Sequence, residues 1–209
     1  MLTKSILLLG PTGAGKSPLG DQIEKNGIKG GKCFHFDFGH ELRSIAEREH
    51  PPEGFGEKDF SFIRDVLEKG LLLDNEHFHI AEKIVRHFLQ RNDFREDTVL
   101  VLNGLPRHVG QAQDMSGIVS VRSVLVLECT SEEVYKRINR NAGGDRTGRS
   151  DDSIDMISRK LEIFKARTAP LIEYYSNRDA AIVKIRTAET STPENSYEAF
   201  IASYAGLPF

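Results

Sequence analysis

The sequence contains no tryptophan and only two cysteines, Cys33 and Cys129, far apart and outside any C-x-x-C pair. This excludes a disulfide framework and a cysteine-based zinc site, and it fits a reducing compartment in which both thiols act as small hydrophobes. Long apolar runs are also missing, and nothing approaches the roughly 20 residues that a membrane-spanning helix needs. The opening MLTKSILLLG sets Lys4 before an apolar run, but the run ends after four residues in a glycine-rich loop holding Lys16. That is too short for a secretory core, so a cytoplasmic protein is expected. Nor is there an excess of basic charge: the net charge is −3, so neither nucleic acid nor a membrane surface is an expected partner.

What is present reads as an ordinary globular chain of 209 residues, 39% hydrophobic and 28% charged, with one main domain. No internal repeat or low-complexity tract divides it. Short, nearly continuous apolar runs at residues 5–9, 33–36, 98–102, 123–127 and 181–185 predict strands covered on both faces. Helical patterns separate them, so the predicted fold class is α/β, a three-layer sandwich around a parallel sheet. The clearest helix is predicted over 153–175, where Ile154, Ile157, Leu161, Phe164, Thr168, Leu171 and Tyr175 step by three and four behind Asp152 as N-cap. Another begins near Ser131, with Thr130 and Glu133 placed for a capping box. Two segments stand outside this alternation. Residues 38–73 carry helices around the loop EHPPEGFGEK, and residues 141–150, NAGGDRTGRS, are glycine-rich and basic, so each is expected to be an insert able to move.

The chemistry is concentrated in GPTGAGKS, residues 10–17, which follows an apolar strand and opens a helix. The pattern G-x-x-x-x-G-K-[ST] turns several backbone N–H groups inward around phosphate. Lys16 adds a mobile cation, and Ser17 places a hydroxyl beside the metal. Pro18 follows at once. In the first turn of a helix its missing N–H has no intrahelical partner, so the fold tolerates it, but one potential phosphate donor is lost.

Four further stretches occur in order. FHFDFGHELR (34–43), EKGLLLDNE (68–76), VLVLNGLPRHVGQAQ (99–113) and RINRNAGGDRTGRSDD (137–152), with KLEIFKARTAPLIEYY (160–175) after the last, resemble the adenylate kinase group of nucleoside monophosphate kinases over roughly residues 2–185. The resemblance implies a P-loop sandwich with a five-stranded parallel sheet in order 2-3-1-4-5. The implied core is 1–37, 74–136 and 151–209, with a monophosphate-binding insert at 38–73 and a short lid at 137–150. It also implies transfer of the terminal phosphoryl group of ATP, with Mg²⁺, to a nucleoside monophosphate, AMP by default, by a monomeric enzyme.

By the same resemblance Gly13, Ala14, Gly15, Lys16, Ser17 and Pro18 bind ATP, and Arg137 stacks near its base and phosphates. Arg43 and Arg107 hold the acceptor phosphate, beside Phe38 and Gly104. Gln111 reads the acceptor base in a pocket lined by the backbone of Leu71, Leu72 and Leu73. Arg149 swings in with the lid, and Lys160 stands where the family has an arginine, one place after Arg159. The lid contains no cysteine, which excludes the zinc-bearing lid of some relatives. His77 and His79 face different sides of a helix and are read as packed or solvated residues, as is His87.

Departures from the family pattern cluster at the chemistry. Asn103 and His40 stand where the family has carboxylates that hold the water shell of Mg²⁺. Asp37, three residues before His40, is the carboxylate placed to compensate, alongside Ser17. Phe38 replaces a hydroxyl residue at the acceptor, and Asn141 replaces a second lid arginine, with Arg140 one residue early. The alternative reading is a nucleotide-binding sensor or scaffold with weak or no kinase activity.

Overall fold

The computed structural model describes residues 2–69, 73, 75–145 and 153–204. Five strands, β1 (Thr3–Leu9), β2 (Cys33–Asp37), β3 (Val99–Asn103), β4 (Val119–Glu128) and β5 (Ala181–Arg186), form one sheet in the order β2-β3-β1-β4-β5. Every pairing is parallel, as the unbroken apolar runs predict. Alternate residues of each strand enter different cores. Leu7, Leu9, Phe36, Leu100, Leu102, Val124 and Val126 face one apolar cluster, while Ile6, Leu8, Cys33, Val101, Leu125 and Leu127 face another.

The second cluster is closed by α1 (Lys16–Asn26), through Leu19 and Ile23, and by α9 (Pro193–Tyr204), through Phe200 and Tyr204. The first is closed by α2 (Phe38–Ala46), α3 (Glu57–Lys69), α4 (Phe78–Arg91), α5 (Val109–Met115) and α8 (Leu171–Ser176). Apolar residues between positions 38 and 73, expected to form an insert, belong to this same cluster, among them Phe38, Leu42, Phe60, Ile63 and Leu73. Among the described residues no helix is long and apolar enough to cross a membrane.

Strands β2 and β3 each run one residue further than their apolar patterns, and the added residues are Asp37 and Asn103. Thr98, expected in β3, instead closes a turn, its hydroxyl accepting from Arg95 N at 3.0 Å. The capping box at α6 (Ser131–Asn139) is present, with Glu133 Oε2 accepting from Thr130 N at 2.8 Å.

The helix expected over 153–175 is divided in the structure. A regular helix α7 (Ile154–Ile163) gives way to a π-turn, Phe164–Thr168, closed by Ala169 N donating to Phe164 O at 2.8 Å, and α8 follows. Ser153 is the N-cap of α7, and Asp152, expected in that role, lies outside the described residues. Ile157 and Leu161 pack with Val134 and Ile138 of α6 in a small separate cluster. Ile154 is 72% exposed and takes no part in the stripe, because it begins the helix ahead of the residues that pack on α6.

Candidate active site

The loop after β1 lies at the carboxyl ends of the strands, where β1 sits between β3 and β4; open α/β sheets bind ligands at such a switch point. Its shape depends on what stands behind it. Gly13 has φ +75°, and a Cβ there would fall 2.7 Å from Ile138 Cγ1 of α6, so only glycine lets the loop close on that helix. Arg137, one residue earlier and 4% exposed, donates from Nε to Gly13 O at 3.1 Å. Its Nη1 donates to Ala188 O at 2.6 Å and Ser191 O at 2.9 Å. One guanidinium therefore ties the phosphate loop to the turn between β5 and α9. Lys16 Nζ donates to Gly10 O and Pro11 O, both at 2.7 Å, so the lysine folds back along its own loop. Ala14 is fully buried in the core, and Pro18 is buried in the first turn of α1.

Where the phosphate loop meets the ends of β2 and β3, two side chains share one carboxylate oxygen of Asp37. Ser17 Oγ donates to Asp37 Oδ2 at 2.5 Å, and Asn103 Nδ2 donates to the same oxygen at 2.8 Å and to Ser17 Oγ at 3.0 Å. The other oxygen of Asp37 accepts from His40 N at 2.9 Å, which caps α2. Burial acts to raise the Asp37 pKa. The Ser17 hydroxyl, the His40 amide and the charges of His35 and Arg43 outweigh it and hold the group below the ordinary carboxylate value. Asp37 is thus an ionised carboxylate beside the Walker serine.

Beyond this joint lie the residues expected at the acceptor. A Cβ on Gly39 would be 3.3 Å from both Arg43 Nη1 and Asp37 Oδ1, so those groups sit together. A Cβ on Gly104 would meet Phe38 Cβ at 3.5 Å and Arg107 Nη2 at 3.7 Å. Arg107 Nε donates to Gly104 O at 2.9 Å, and its carbonyl accepts from Thr168 Oγ1 at 2.8 Å. Gln111 is 2% exposed. Its Nε2 donates to Leu73 O at 2.9 Å and its Oε1 accepts from Arg107 N at 2.8 Å, so its amide ties Arg107 to Leu73.

The structure therefore brings together Gly13, Gly15, Lys16, Ser17 and Arg137 as one group and Phe38, Arg43, Gly104, Arg107, Gln111 and Leu73 as another, joined through Asp37. Lys160 is in the last turn of α7, and Arg140 pairs with Glu189. Leu71, Leu72 and Arg149 lie outside the described residues. The sequence carried no signal for Arg137 as a brace, since its carbonyl partners are 50 residues and more away in the chain.

Comparison with known proteins decides the family. The model of the adenylate kinase family matches residues 8–180, most of the chain. The chain belongs to the adenylate kinase family. Its activity is ATP-dependent phosphoryl transfer to a nucleoside monophosphate. Among relatives, an adenylate kinase of Thermus thermophilus is 28% identical over 200 residues, covering 93% of each chain. One of Treponema denticola is 26% identical over 201 residues, covering 84% of this chain and 88% of that protein. A uridylate kinase of Saccharomyces cerevisiae is 29% identical over 182 residues, covering 87% of this chain and 81% of the other. Membership accounts for the arrangement already described: a phosphate loop at the switch point, with paired arginines beyond the neighbouring strand ends.

Proposed function

We propose that AMP is the acceptor, with residues 38–73 as its binding insert and 137–150 as the lid over ATP. Phosphoryl transfer asks the protein for position and cations rather than covalent chemistry. Lys16 and the loop amides hold the ATP phosphates, while Arg43 and Arg107 hold the acceptor phosphate. Phe38 and the Leu73 backbone border the base. Gln111 reads it by exchanging a protein partner for a base edge, with Leu71 and Leu72 completing the pocket. Arg149 and Lys160 add cations from the lid side, closing over the phosphates and excluding water.

The donor set at Ser17 and Asp37, one hydroxyl and one ionised carboxylate, fits a magnesium ion that keeps several waters and takes its other ligands from phosphate. When bound, such an ion neutralises charge on the transferring phosphates. The observation that supports this reading is the shared Asp37 oxygen, which Ser17 Oγ and Asn103 Nδ2 both reach.

The test is transfer from ATP to AMP, CMP, UMP, GMP and dAMP with Mg²⁺ or Mn²⁺, read by product chromatography. AMP is expected to give the highest kcat/KM, and a higher value for UMP or CMP would replace it as acceptor. In Lys16→Ala, turnover should fall by about 10²–10³-fold, and normal activity there would defeat the assignment of the loop. Tight ATP binding with no transfer to any acceptor would leave the nucleotide-sensing alternative.

A further inference from the structure

The ring of Pro18 lies against the backbone of Gly143. A Cβ built on Gly143 would stand 2.6 Å from Pro18 Cγ and 3.7 Å from Pro18 Cβ. Only hydrogen at this position admits the ring at this distance. The same Cβ would also approach Asp145 Oδ1 at 2.9 Å, so the ring is one of two groups that crowd this position.

The chain reaches Gly143 along a fixed path. After α6, Asn141 N donates to Ile138 O at 3.0 Å, Ala142 N to Arg137 O at 3.0 Å and Gly144 N to Asn141 O at 2.9 Å. Asn141 and Gly144 both take positive φ, 48° and 72°, which turns the strand of backbone back toward α1. Arg137 and Ile138 hold the other side of the phosphate loop. The loop and its helix are thus gripped by α6 from behind and touched by residue 143 at the first turn of α1.

We propose that Pro18 is a positioning residue: its ring is the seat on which the root of the lid rests. In this protein the proline that removes a phosphate donor supplies a rigid apolar surface instead, and Gly143 is the matching flat face. The inference rests on the reading of 137–150 as the lid. A ring has no rotamer to lose on contact, so the seat fixes the approach of the lid at little entropic cost.

The experiment is a double-mutant cycle of Gly143→Ala and Pro18→Ala on the full chain, with two readouts. In the wild-type background Gly143→Ala is expected to lower kcat/KM for ATP about tenfold, with KM for the acceptor within about twofold. In the Pro18→Ala background, where Cγ is gone and Cβ remains at ordinary contact distance, the same change should cost at least about threefold less, the approach to Asp145 Oδ1 being common to both backgrounds. Amide hydrogen exchange over residues 141–145 without nucleotide should quicken in Gly143→Ala and return in the double variant. Equal effects in both backgrounds, or no effect of Gly143→Ala on either readout, would overturn the seat. A wild-type protein with no turnover would defeat the kinase and lid reading, and exchange would still decide the contact.

Discussion

Asp37 and Asn103 stand at the same register position on adjacent parallel strands, with the Asn103 amide nitrogen 2.8 Å from a carboxylate oxygen of Asp37. An amide donating to a carboxylate is neutral with respect to charge, whereas two carboxylates at that distance would repel unless a cation or a proton lay between them. Asn103 therefore orients the carboxylate of Asp37 without adding charge beside it.

Asn103→Asp should turn this pair into a metal-dependent one. Without divalent cation at neutral pH its melting temperature is expected to fall by several degrees, since about 1 kcal/mol corresponds to roughly 2–4 °C at this size. Millimolar Mg²⁺ should return it, and Mg²⁺-dependent turnover should rise. A melting temperature lowered equally with and without Mg²⁺, in differential scanning calorimetry, would mean that the metal is held elsewhere.

Asp37 also sets an acid dependence. Its folded pKa lies below the ordinary value of 3.8, so the unfolded chain takes up the proton more readily. Its contribution to stability is thus complete above that value and disappears as pH falls through the lower, folded one. The melting-temperature difference between wild type and Asp37→Asn should be constant above about pH 5 and shrink on acidification below about pH 4. A difference independent of pH across that range would contradict it. Asparagine is also a good N-cap, so α2 itself should survive the change.

Arg137→Ala tests the brace. It leaves three carbonyls, those of Gly13, Ala188 and Ser191, without their shared donor and empties a buried position. The expected cost is about 2–4 kcal/mol, measured by urea denaturation without nucleotide. Arg137→Lys should recover little, because one ammonium does not reproduce the planar fork. A variant as stable as wild type that is weak only in ATP binding would make Arg137 a ligand contact alone.

The two thiols should part company in reactivity. Burial pushes Cys33 up to about 12, and burial also raises Cys129, which is only half-buried. At pH 8 iodoacetamide should label Cys129 first, with Cys33 slower than a free cysteine by about 10³-fold until urea is added. Equal labelling rates in the native protein would contradict the burial of Cys33.

The sheet was legible because strands covered on both faces keep their whole apolar run in the sequence, and β1 to β5 all lie where those runs are. Their ends were less so: Asp37 and Asn103 are polar and extend strands for the sake of the site they carry. The phosphate loop and the capping box were legible because they are local, with every partner within a few residues. Arg137 bound to Ala188, Gln111 bound to Leu73, and Pro18 against Gly143 were not, since each joins segments that only the folded chain brings together. The 153–175 helix was half legible, because its spacing is helical on either side of the π-turn and nothing in composition marks the extra residue.

That π-turn works as a phase adjustment. Ahead of it, Ile157 and Leu161 are turned toward α6; after it, Leu171 and Tyr175 are turned into the main core beneath the sheet. One length of helix thereby serves two separate apolar interiors, and Thr168, within the wide turn, is left facing the Arg107 carbonyl. Removing a single residue between 164 and 168 would swing α8 by about 100° relative to α7 and set the two interiors in competition for the same face. The contact with α6 and the hold on Arg107 would then be out of step along the element that connects them.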